Sequence, residues 1–370
     1  RRAGRPRLER GGEGPAPITV FNRRRLEELG VATVADVLKY VSQQPYVRTE
    51  GYLSTSNQFV DLRGLGIDNT LMLINGRRVA ATATSVTVDA FDVNTIPLAA
   101  VERIEVLADS ASAVYGADAT GGVVNIILKK NVVRPEIELR YGSASGGGDE
   151  RQAALSVGYS GERLHASAIF TYFGRELLEG NERDRLRNQD FRRFGGNDFR
   201  SLSANPGNIS SLTTANLPGL SSRFAAVPSG SSGVGLTPAD FVATAGLQNR
   251  ESLGSFASIL PEIDRYSTAV FAELELAPKL SAFAEILHTQ KEVTQLTDPA
   301  ALTAVVVPAT NAFNPFGSPV SVSYLFEGIG SRERRSEADF LRSVIGLRGT
   351  LGSWDWELSV LNSQEDSSTW

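Results

Sequence analysis

Hydrophobic and polar positions follow two different patterns along the chain, and the pattern changes near residue 130. Before this point, short apolar runs switch between the periods of helices and strands. After it, strand-length segments alternate residue by residue between apolar and polar positions. The change predicts a small α+β domain at residues 18–130 and a series of half-buried strands at residues 131–370.

The first apolar runs predict one strand and two helices. Residues 18–21 suit a strand, after which Asn22 can cap a helix that ends at Gly30. Thr33 and Asp36 have the spacing of a capping box and begin a second helix. Apolar residues recur at helical spacing on one face of this helix: Val34, Val37, Leu38 and Val41. We expect this face to lie in the core of the domain.

The remainder of the first domain has the pattern of short strands. These strands are predicted at residues 59–63, 71–74, 77–79, 101–107 and 123–128. Asn75 and Gly76 separate the second strand from the third, and Asn-Gly is the strongest two-residue signal for a hairpin. The first domain is therefore expected to be compact, with many short elements.

Seven segments of the second region each have one apolar and one polar face. They are residues 136–141, 155–160, 164–172, 265–276, 280–289, 341–351 and 354–360. Tight connections alternate with longer ones, of which the longest are residues 178–262 and 294–338. Short periplasmic turns and long extracellular loops are typical of outer-membrane barrels, so the pattern favours a transmembrane barrel over a soluble sandwich.

Aromatic residues near the strand ends suit the same interpretation. Trp354 and Trp356 lie beside a tight turn, and Tyr172 and Phe173 lie near the far end of their strand. Barrels carry girdles of aromatic residues at both membrane interfaces, so we expect these four side chains to face the lipid.

The composition excludes several classes of function. The 370 residues are 41% hydrophobic and carry a net charge of -5, which gives no sign of a nucleic-acid partner. The chain has no cysteine and two histidines, so disulfides, cysteine-based zinc sites and thiol nucleophiles are excluded. No apolar run reaches the length of about 20 residues that a transmembrane helix requires. We expect no catalytic residues, no metal site and no cofactor.

Both ends of the chain suggest a fragment. Residues 1–17 are rich in Arg, Gly and Pro, which predicts a flexible arm, and no signal peptide is visible. Seven strands would leave open edges in lipid. We therefore expect the barrel to be incomplete in this chain and to continue beyond Trp370.

Four blocks in the first domain, residues 61–66, 70–79, 94–107 and 113–127, are the most specific part of the sequence. Their order and spacing resemble the plug domain of TonB-dependent outer-membrane receptors. The residues that carry this motif are Arg63, Gly64, Gly66, Asn75, Gly76, Arg77, Glu102, Arg103, Glu105, Tyr115, Gly116, Gly121, Gly122 and Asn125. Most of the glycines are expected to be structural, because glycine adopts backbone angles that are closed to other residues.

The resemblance implies an α+β plug domain followed by antiparallel transmembrane β-barrel strands. It implies active transport of a scarce ligand (siderophore-iron, cobalamin or an oligosaccharide) across the outer membrane of a Gram-negative bacterium. The implied partners are TonB with its inner-membrane energising complex, outer-membrane lipid, and a small-molecule or metal-chelate ligand. A TonB box is not identifiable in residues 1–17, and we expect it to have been truncated. Two alternatives stay open: a barrel-anchored receptor that binds or signals without transport, and a soluble enzyme with an α/β and a β domain.

Two segments between plug strands, residues 52–58 and 81–88, are expected to meet the ligand, because both are rich in polar side chains and loops commonly carry binding residues. The predicted ligand-binding residues are Tyr52, Ser54, Ser56, Asn57, Gln58, Thr82, Thr84 and Ser85.

A set of charged residues in the plug is expected to pair with the polar inner face of the barrel. Its members are Arg63, Arg77, Arg78, Glu102, Arg103 and Glu105. The candidate partners on the barrel strands are Glu136, Glu138, Arg140, Glu273 and Glu275. A solvated polar face in a wet lumen is the alternative interpretation of the same charges.

Overall fold

A computed structural model of the chain describes residues 18–41, 57–82, 90–231 and 233–370. These residues form two compact units. The first comprises the described residues of Arg1–Glu176, Pro261–Thr294 and Arg335–Trp370, and the second comprises those of Leu177–Leu260 and Gln295–Arg334.

The described residues contain eighteen strands, numbered here in chain order. They are β1 (Ile18–Asn22), β2 (Thr70–Ile74), β3 (Arg77–Arg78), β4 (Val101–Leu107), β5 (Gly122–Leu128), β6 (Glu136–Gly142), β7 (Glu150–Ser160), β8 (Leu164–Arg175), β9 (Leu178–Glu179), β10 (Asn208–Ser211), β11 (Phe224–Ala226), β12 (Ser258–Leu260), β13 (Glu262–Ala277), β14 (Leu280–Thr297), β15 (Ala301–Val307), β16 (Val320–Leu325), β17 (Arg332–Leu351) and β18 (Trp354–Thr369).

Four short α-helices accompany these strands in the described ranges. They are α1 (Arg23–Leu29), α2 (Val34–Leu38), α3 (Ser112–Tyr115) and α4 (Asp184–Arg187). Single 3₁₀ turns occur at Leu62–Gly64, Ile67–Asn69, Val93–Thr95, Leu98–Ala100, Ala117–Ala119, Gly180–Glu182, Phe191–Phe194, Pro238–Thr244, Leu253–Ser255 and Glu327–Ile329. None of the helices in these ranges has the length and apolar character needed to cross a bilayer.

The N-terminal α+β fold is built on a five-stranded sheet with the order β1-β4-β5-β2-β3. Strands β2 and β5 run parallel and the other neighbours run antiparallel. The central strands β4 and β5 carry fully buried side chains, including Ile104, Val106, Val124 and Ile126. The short apolar runs of the sequence are therefore buried as predicted, in two clusters.

The two predicted helix starts are confirmed. The Asn22 side chain accepts the N–H of Arg25 at the start of α1, and Gly30 ends this helix in the left-handed conformation. Thr33 and Asp36 form both hydrogen bonds of the capping box at the start of α2. The helix ends at Leu38, three residues before the end of the predicted apolar face, although Val41 is still buried.

The strand predicted at residues 59–63 is wrong. Residues 57–61 are irregular and lead into the 3₁₀ turn Leu62–Gly64. Arg63 has φ 62°, which no strand residue adopts. The Leu62 N–H donates to the Thr70 hydroxyl at 3.0 Å instead of to a neighbouring strand. The Thr70 side chain thus accepts the hydrogen bond that the Leu62 N–H would have made within a sheet.

The predicted hairpin is confirmed between β2 and β3. Asn75 and Gly76 have φ of 52° and 75°, the left-handed angles that a two-residue turn of this type demands. The register pairs Ile74 with Arg77 directly across the turn.

The other sheet of the first unit has seven strands in the order β18-β17-β14-β13-β8-β7-β6. We call this sheet the wall. The strand pairs β6–β7, β7–β8, β8–β13, β13–β14 and β17–β18 are antiparallel, and tight turns join β7 to β8, β13 to β14 and β17 to β18. All seven alternating segments are confirmed as wall strands, and β14, β17 and β18 extend well beyond the predicted segments.

One face of the wall is exposed and apolar. Its large exposed side chains include Ile137, Leu139, Leu155, Phe170, Leu274, Ile286, Ile345, Leu351, Leu358 and Val360. Tyr172 lies on this face and packs against Tyr266, with ring centroids 5.1 Å apart. Phe173 points to the opposite face and is only 4% exposed, so its predicted place in an aromatic girdle is wrong. Successive side chains of a strand point to opposite faces, so Tyr172 and Phe173 could not both meet the lipid.

The second unit has its own sheets and its own core. A four-stranded sheet has the order β11-β10-β16-β15, and β9 pairs with β12. Its apolar core comprises Ile209, Leu217, Ala225, Phe241, Phe316 and Val320. Asn249 binds this core from its edge, since its side chain donates to the carbonyls of Pro206, Gly207 and Val227. Most of both predicted long connections lies in this folded unit.

Candidate functional site at the inner face of the wall

Polar side chains of β14 point to the face of the wall that contacts the N-terminal fold. Glu285, Thr289 and Lys291 alternate with outward residues and are only 3%, 1% and 6% exposed. Buried charges are stable only when they are paired and hydrogen-bonded. We therefore expect each of these side chains to have a specific partner on the N-terminal fold.

Glu285 is the centre of the first group, which we call the Glu285 cluster: Glu285, Asn75, Arg77, Lys130 and Arg342. The Asn75 amide donates to Glu285 Oε2 at 3.0 Å, and Lys130 donates to Oε1. The guanidinium groups of Arg77 and Arg342 lie 3.6 Å and 3.7 Å from the carboxylate. Three cations surround one carboxylate, so the hairpin turn and the end of the N-terminal fold are held at the same point of the wall.

The two arginines of the Glu285 cluster each make a further contact, and one of these contacts is with a second carboxylate. Arg77 also pairs with Glu357 of β18, with 2.5 Å between its Nη2 and Oε1. Arg342, which is 1% exposed, donates from Nη2 to the Ile74 carbonyl at 3.2 Å. Arg77 is therefore bound by carboxylates from two wall strands, β14 and β18.

Lys291 is the centre of the second group, which we call the Lys291 cluster: Lys291, Asp92 and Asn57. The Lys291 ammonium lies 2.5 Å from Asp92 Oδ2 and 2.6 Å from Asn57 Oδ1. The Asp92 and Lys291 side chains are 1% and 5% exposed. This pair is shielded from water, so its charge-assisted hydrogen bonds are of the strong class.

The residues beside Lys291 bind the same stretch of the N-terminal fold. Arg265 is the cross-strand partner of Lys291, and it donates to the Asn94 carbonyl at 2.6 Å. Thr289 donates to the Thr95 carbonyl at 2.7 Å. The inner face of β13 and β14 therefore binds the turn Val93–Thr95 through side chain to backbone contacts.

Strand β18 binds the segment that follows the hairpin. The Thr82 hydroxyl donates to Glu365, and the Ala80 N–H donates to the Ser363 hydroxyl at 3.2 Å. Apolar packing accompanies these polar contacts: Phe91 meets Phe340 of β17 edge-on, with ring centroids 5.6 Å apart. The contact is thus mixed, with a buried apolar part and several polar groups.

The predicted pairing of N-terminal charges with the wall is confirmed only for Arg77, and its wall partners were not those predicted. Glu136 and Glu138 bind Lys129 and Arg23 instead, and Glu273 pairs with Arg348 within the wall. A partner's identity depends on strand register, which the sequence pattern does not determine.

The other predicted charges are satisfied within the N-terminal fold. Arg78 pairs with Asp118, and Arg103 pairs with Glu105 at 2.8 Å. Arg63 donates to the Thr120 and Gly121 carbonyls. Glu102 is exposed. The prediction that these charges pair with the wall is therefore wrong, because Arg63, Arg78, Arg103 and Glu105 have partners within the N-terminal fold.

The remaining motif residues build the fold. Asn125 accepts the N–H of Gly76 and donates to Glu105, which connects the hairpin turn to β5 and β4. The Tyr115 carbonyl accepts a bond from Arg78. Gly64, Gly66, Gly116 and Gly122 have positive φ. A Cβ at Gly121 would lie 2.7 Å from the Asn69 carbonyl oxygen, so a close backbone approach explains this glycine.

Three of the predicted ligand-binding residues lie in the part of the chain that the structure describes. Asn57, Gln58 and Thr82 are buried, at 5%, 5% and 3% exposure. Asn57 and Thr82 bind the wall, and the Gln58 N–H donates to Asp92. The other predicted residues, Tyr52, Ser54, Ser56, Thr84 and Ser85, lie outside the described residues.

Sequence reasoning missed Lys291 as a site residue. The alternating pattern placed Arg265, Glu285, Thr289 and Arg342 on the polar faces of their strands, but it indicated no partner for them. A charged residue on the polar face of a strand was the available signal, but it does not indicate which residue of the N-terminal fold it binds. In residues 18–41, 57–82, 90–231 and 233–370, no group of three or more His, Asp or Glu side chains is placed to hold a metal ion.

Comparison with known proteins supports a common origin for the N-terminal fold. Residues 12–123 match the family model described as TonB-dependent Receptor Plug Domain. Over 120 residues the chain is 38% identical to an iron-regulated outer membrane virulence protein of Vibrio cholerae, covering 32% of this chain and 18% of that protein. Over 124 residues it is 38% identical to a probable TonB-dependent siderophore receptor, PirA, of Acinetobacter baumannii, covering 30% and 16%.

A solved structure matches a larger part of the chain. The ferric enterobactin receptor of Pseudomonas aeruginosa matches with a TM-score of 0.52, over 96% of this chain and 41% of that one, at 16% identity. The matched regions thus cover less than half of this receptor and of the two sequence relatives. At this identity the match concerns the fold alone, and it confirms the predicted class of an α+β domain followed by antiparallel barrel strands.

Proposed function

From the premise that this chain carries the plug domain of a TonB-dependent receptor, as its sequence motif predicted and the family match confirms, we propose that it imports a scarce ligand across the outer membrane. The plug is assigned to residues 18–130 and the barrel strands to residues 131–370. Residues 178–262 and 294–338 are assigned to the extracellular side.

One observation carries the proposal: the wall has an apolar face turned to the outside and a polar face bound to the plug. Ile345 and Val360 are 67% and 77% exposed on one face, while Arg342 is 1% exposed on the other. An outward apolar band with a polar interior is the pattern of an outer-membrane barrel. A folded domain that is bound to the inner face of such a wall suits a gated transport path rather than an open channel.

The contact between plug and wall suits a plug that moves during transport. Glu285, Lys291 and Glu365 bind plug groups through hydrogen bonds and ion pairs. Water in a polar lumen can replace such bonds when the plug shifts, at a cost of about 1.5–3 kcal/mol for each hydrogen bond to a charged group. We propose that the energy for this shift comes from TonB and its inner-membrane energising complex.

Siderophore-bound iron is the ligand class that we propose. The relatives from Vibrio cholerae and Acinetobacter baumannii are named as iron-regulated and as a siderophore receptor. We place ligand contacts on plug segments 52–58 and 81–88. Asn57, Gln58 and Thr82, which belong to these segments, contact Asp92 or the wall.

Uptake by the full-length protein tests the proposal. The gene is expressed in a bacterium that lacks its own siderophore receptors, and cells receive ⁵⁵Fe as ferric enterobactin, a hydroxamate chelate or citrate. Matched cells without TonB serve as the control, and labelled cobalamin and a maltooligosaccharide are supplied in parallel. We expect accumulation of at least one ferric chelate that requires both the gene and TonB.

Two results would contradict this function. Uptake of cobalamin or oligosaccharide without uptake of any ferric chelate would overturn the ligand class while preserving transport. Binding of a ferric chelate to the cells without TonB-dependent accumulation would indicate a receptor that does not transport.

A further inference from the structure

We propose that Lys291 is a positioning residue for ligand binding, an inference that rests on the transport function proposed above. Lys291 lies in the wall, yet it binds two separate plug segments with one ammonium group. Its partners Asn57 and Asp92 lie 234 and 199 residues before it in the sequence. A single wall side chain thus fixes the distance between these two segments.

Asp92 extends the effect of Lys291 to the plug backbone. Its Oδ2 faces Lys291, while its Oδ1 accepts the N–H groups of Gln58 and Asn94 at 2.9 Å and 3.0 Å. The Val93 N–H donates to the Gln58 carbonyl at 3.0 Å. The orientation of this carboxylate therefore sets the backbone position of Gln58, and Asn57 next to it is held by Lys291 directly.

These contacts join the two plug segments that are predicted to meet the ligand. Asn57 and Gln58 end the first predicted segment. The Thr82 N–H, in the second segment, donates to the Ala90 carbonyl at 2.8 Å, two residues before Asp92. Described residues of both segments are therefore hydrogen-bonded to the Lys291 cluster or to Ala90, two residues before Asp92.

The Lys291 cluster is separate from the Glu285 cluster. The two residues are six positions apart on β14, which corresponds to about 20 Å along a strand. Glu285 binds the hairpin turn and Lys130, whereas Lys291 binds residues 57 and 92. Removing the Lys291 ammonium should therefore release residues 57 and 92 from the wall, while the hairpin turn stays bound to Glu285.

Because the Lys291–Asp92 pair is buried, the position of the Asp92 carboxylate depends on Lys291. Removing its charge leaves Asp92, at 1% side-chain exposure, with two N–H donors and no opposite charge. A buried carboxylate without its cation must move or bind water. Either change alters the acceptor geometry that the ion pair maintains for the Gln58 and Asn94 amides.

Hydrogen exchange of the full-length protein in lipid tests this inference without any ligand. We compare wild type with Lys291→Met, Lys291→Arg and Arg348→Met, the last of which removes a wall pair with Glu273 that does not bind the plug. In Lys291→Met we expect about tenfold faster exchange at the Gln58 and Asn94 amides, the loss expected for a hydrogen bond to a charged group. The Asn75 amide, which donates to Ile126, should exchange as in wild type.

Binding of ferric enterobactin supplies the second readout. We expect Lys291→Met to bind about tenfold more weakly, and Lys291→Arg and Arg348→Met to bind like wild type. If wild type does not bind ferric enterobactin, the hydroxamate chelate and ferric citrate are used as probes, and failure of all three would overturn the ligand class rather than the role of Lys291. Unchanged binding by Lys291→Met of a chelate that wild type binds would overturn the role in ligand binding. Unchanged exchange at Gln58 and Asn94 in Lys291→Met, or equal acceleration at Asn75, would overturn the inference.

Discussion

The Asn75 side chain donates a hydrogen bond to Glu285, 210 residues further along the chain, at 3.0 Å. The same side chain accepts the Leu128 N–H at 2.9 Å. One amide at a hairpin turn therefore connects the end of β5 to the wall. The turn needs left-handed angles at this position, and asparagine is among the few residues that adopt them readily while keeping a polar side chain.

Glu285→Gln is expected to destabilise the plug–wall contact. The substitution leaves Arg77, Lys130 and Arg342 around a neutral amide, with Arg342 almost fully buried. Removing one partner of a buried charge cluster costs about 3–5 kcal/mol. We expect a decrease of this size in the free energy of unfolding, measured by urea titration of the protein in lipid vesicles.

Glu136→Gln is the matched control for that measurement. Glu136 pairs with Lys129, but its side chain is 54% exposed. Exposed pairs contribute about 0–1 kcal/mol, so this variant should unfold nearly like wild type. Equal destabilisation by the two substitutions would show that the Glu285 cluster has no special role.

Local features of the fold were predictable from the sequence because their causes are local. The cap at Asn22, the capping box of Thr33 and Asp36, and the turn at Asn75 each depend on residues within four positions of one another. The seven wall strands were predictable for the same reason, since alternation is a property of each strand alone.

Ile345→Arg is expected to destabilise the wall in lipid. Ile345 lies on the apolar face opposite Val360, near the middle of its strand. An arginine on the lipid face costs about 2–4 kcal/mol at the bilayer midplane and about 0–1 kcal/mol near the interfaces. Urea unfolding from lipid vesicles should show a decrease in the free energy of unfolding within the midplane range, about 2–4 kcal/mol.

Gln290→Arg supplies the comparison for Ile345→Arg. Gln290 is also outward, but it binds Asp339 beyond the apolar part of β14, and an arginine can keep that contact. We expect a change below about 1 kcal/mol. If both arginines cost the same, the exposed apolar face is not in contact with lipid.

Asp36 is expected to make the stability of α2 depend on pH. Burial opposes ionisation of this carboxyl, but hydrogen bonds from Lys39 and Thr33 outweigh it and lower the pKa below 3.8. A lowered pKa in the folded state means that the carboxylate stabilises the helix at neutral pH. This contribution is lost as the pH falls through the lowered pKa.

Amide exchange of α2 in wild type and Asp36→Asn measures that contribution. We expect the variant to open more easily at pH 7 by about 1 kcal/mol, as for loss of a cap, and the difference to shrink as the pH falls below 4. Lys39→Met should raise the pKa of Asp36 and move the loss to higher pH. A difference that stays constant down to pH 2 would contradict this account.

The partners of the wall were not predictable because their causes are distant. Arg77 was identified as a charge facing the wall, yet Glu285 and Glu357 bind it, not the predicted Glu273 or Glu275. The choice depends on how the plug is rotated against strands more than 200 residues away. Lys291 and Asp92 illustrate the same limit, since neither has a partner that local spacing could indicate.

Gly122→Ala is expected to destabilise the plug strongly, by about 3 kcal/mol. Gly122 has φ 142°, and an added Cβ would lie 2.5 Å from the Leu107 carbonyl oxygen and 2.7 Å from Leu62 Cδ1. Both neighbours belong to the plug core, so neither can move without disturbing β4 or the 3₁₀ turn. Gly328→Ala is the control, because its Cβ would meet no atom within 4 Å and its φ is not positive. Thermal unfolding should separate the two variants, and a Gly122→Ala protein as stable as Gly328→Ala would show that the close approach of β5 to Leu107 is not required.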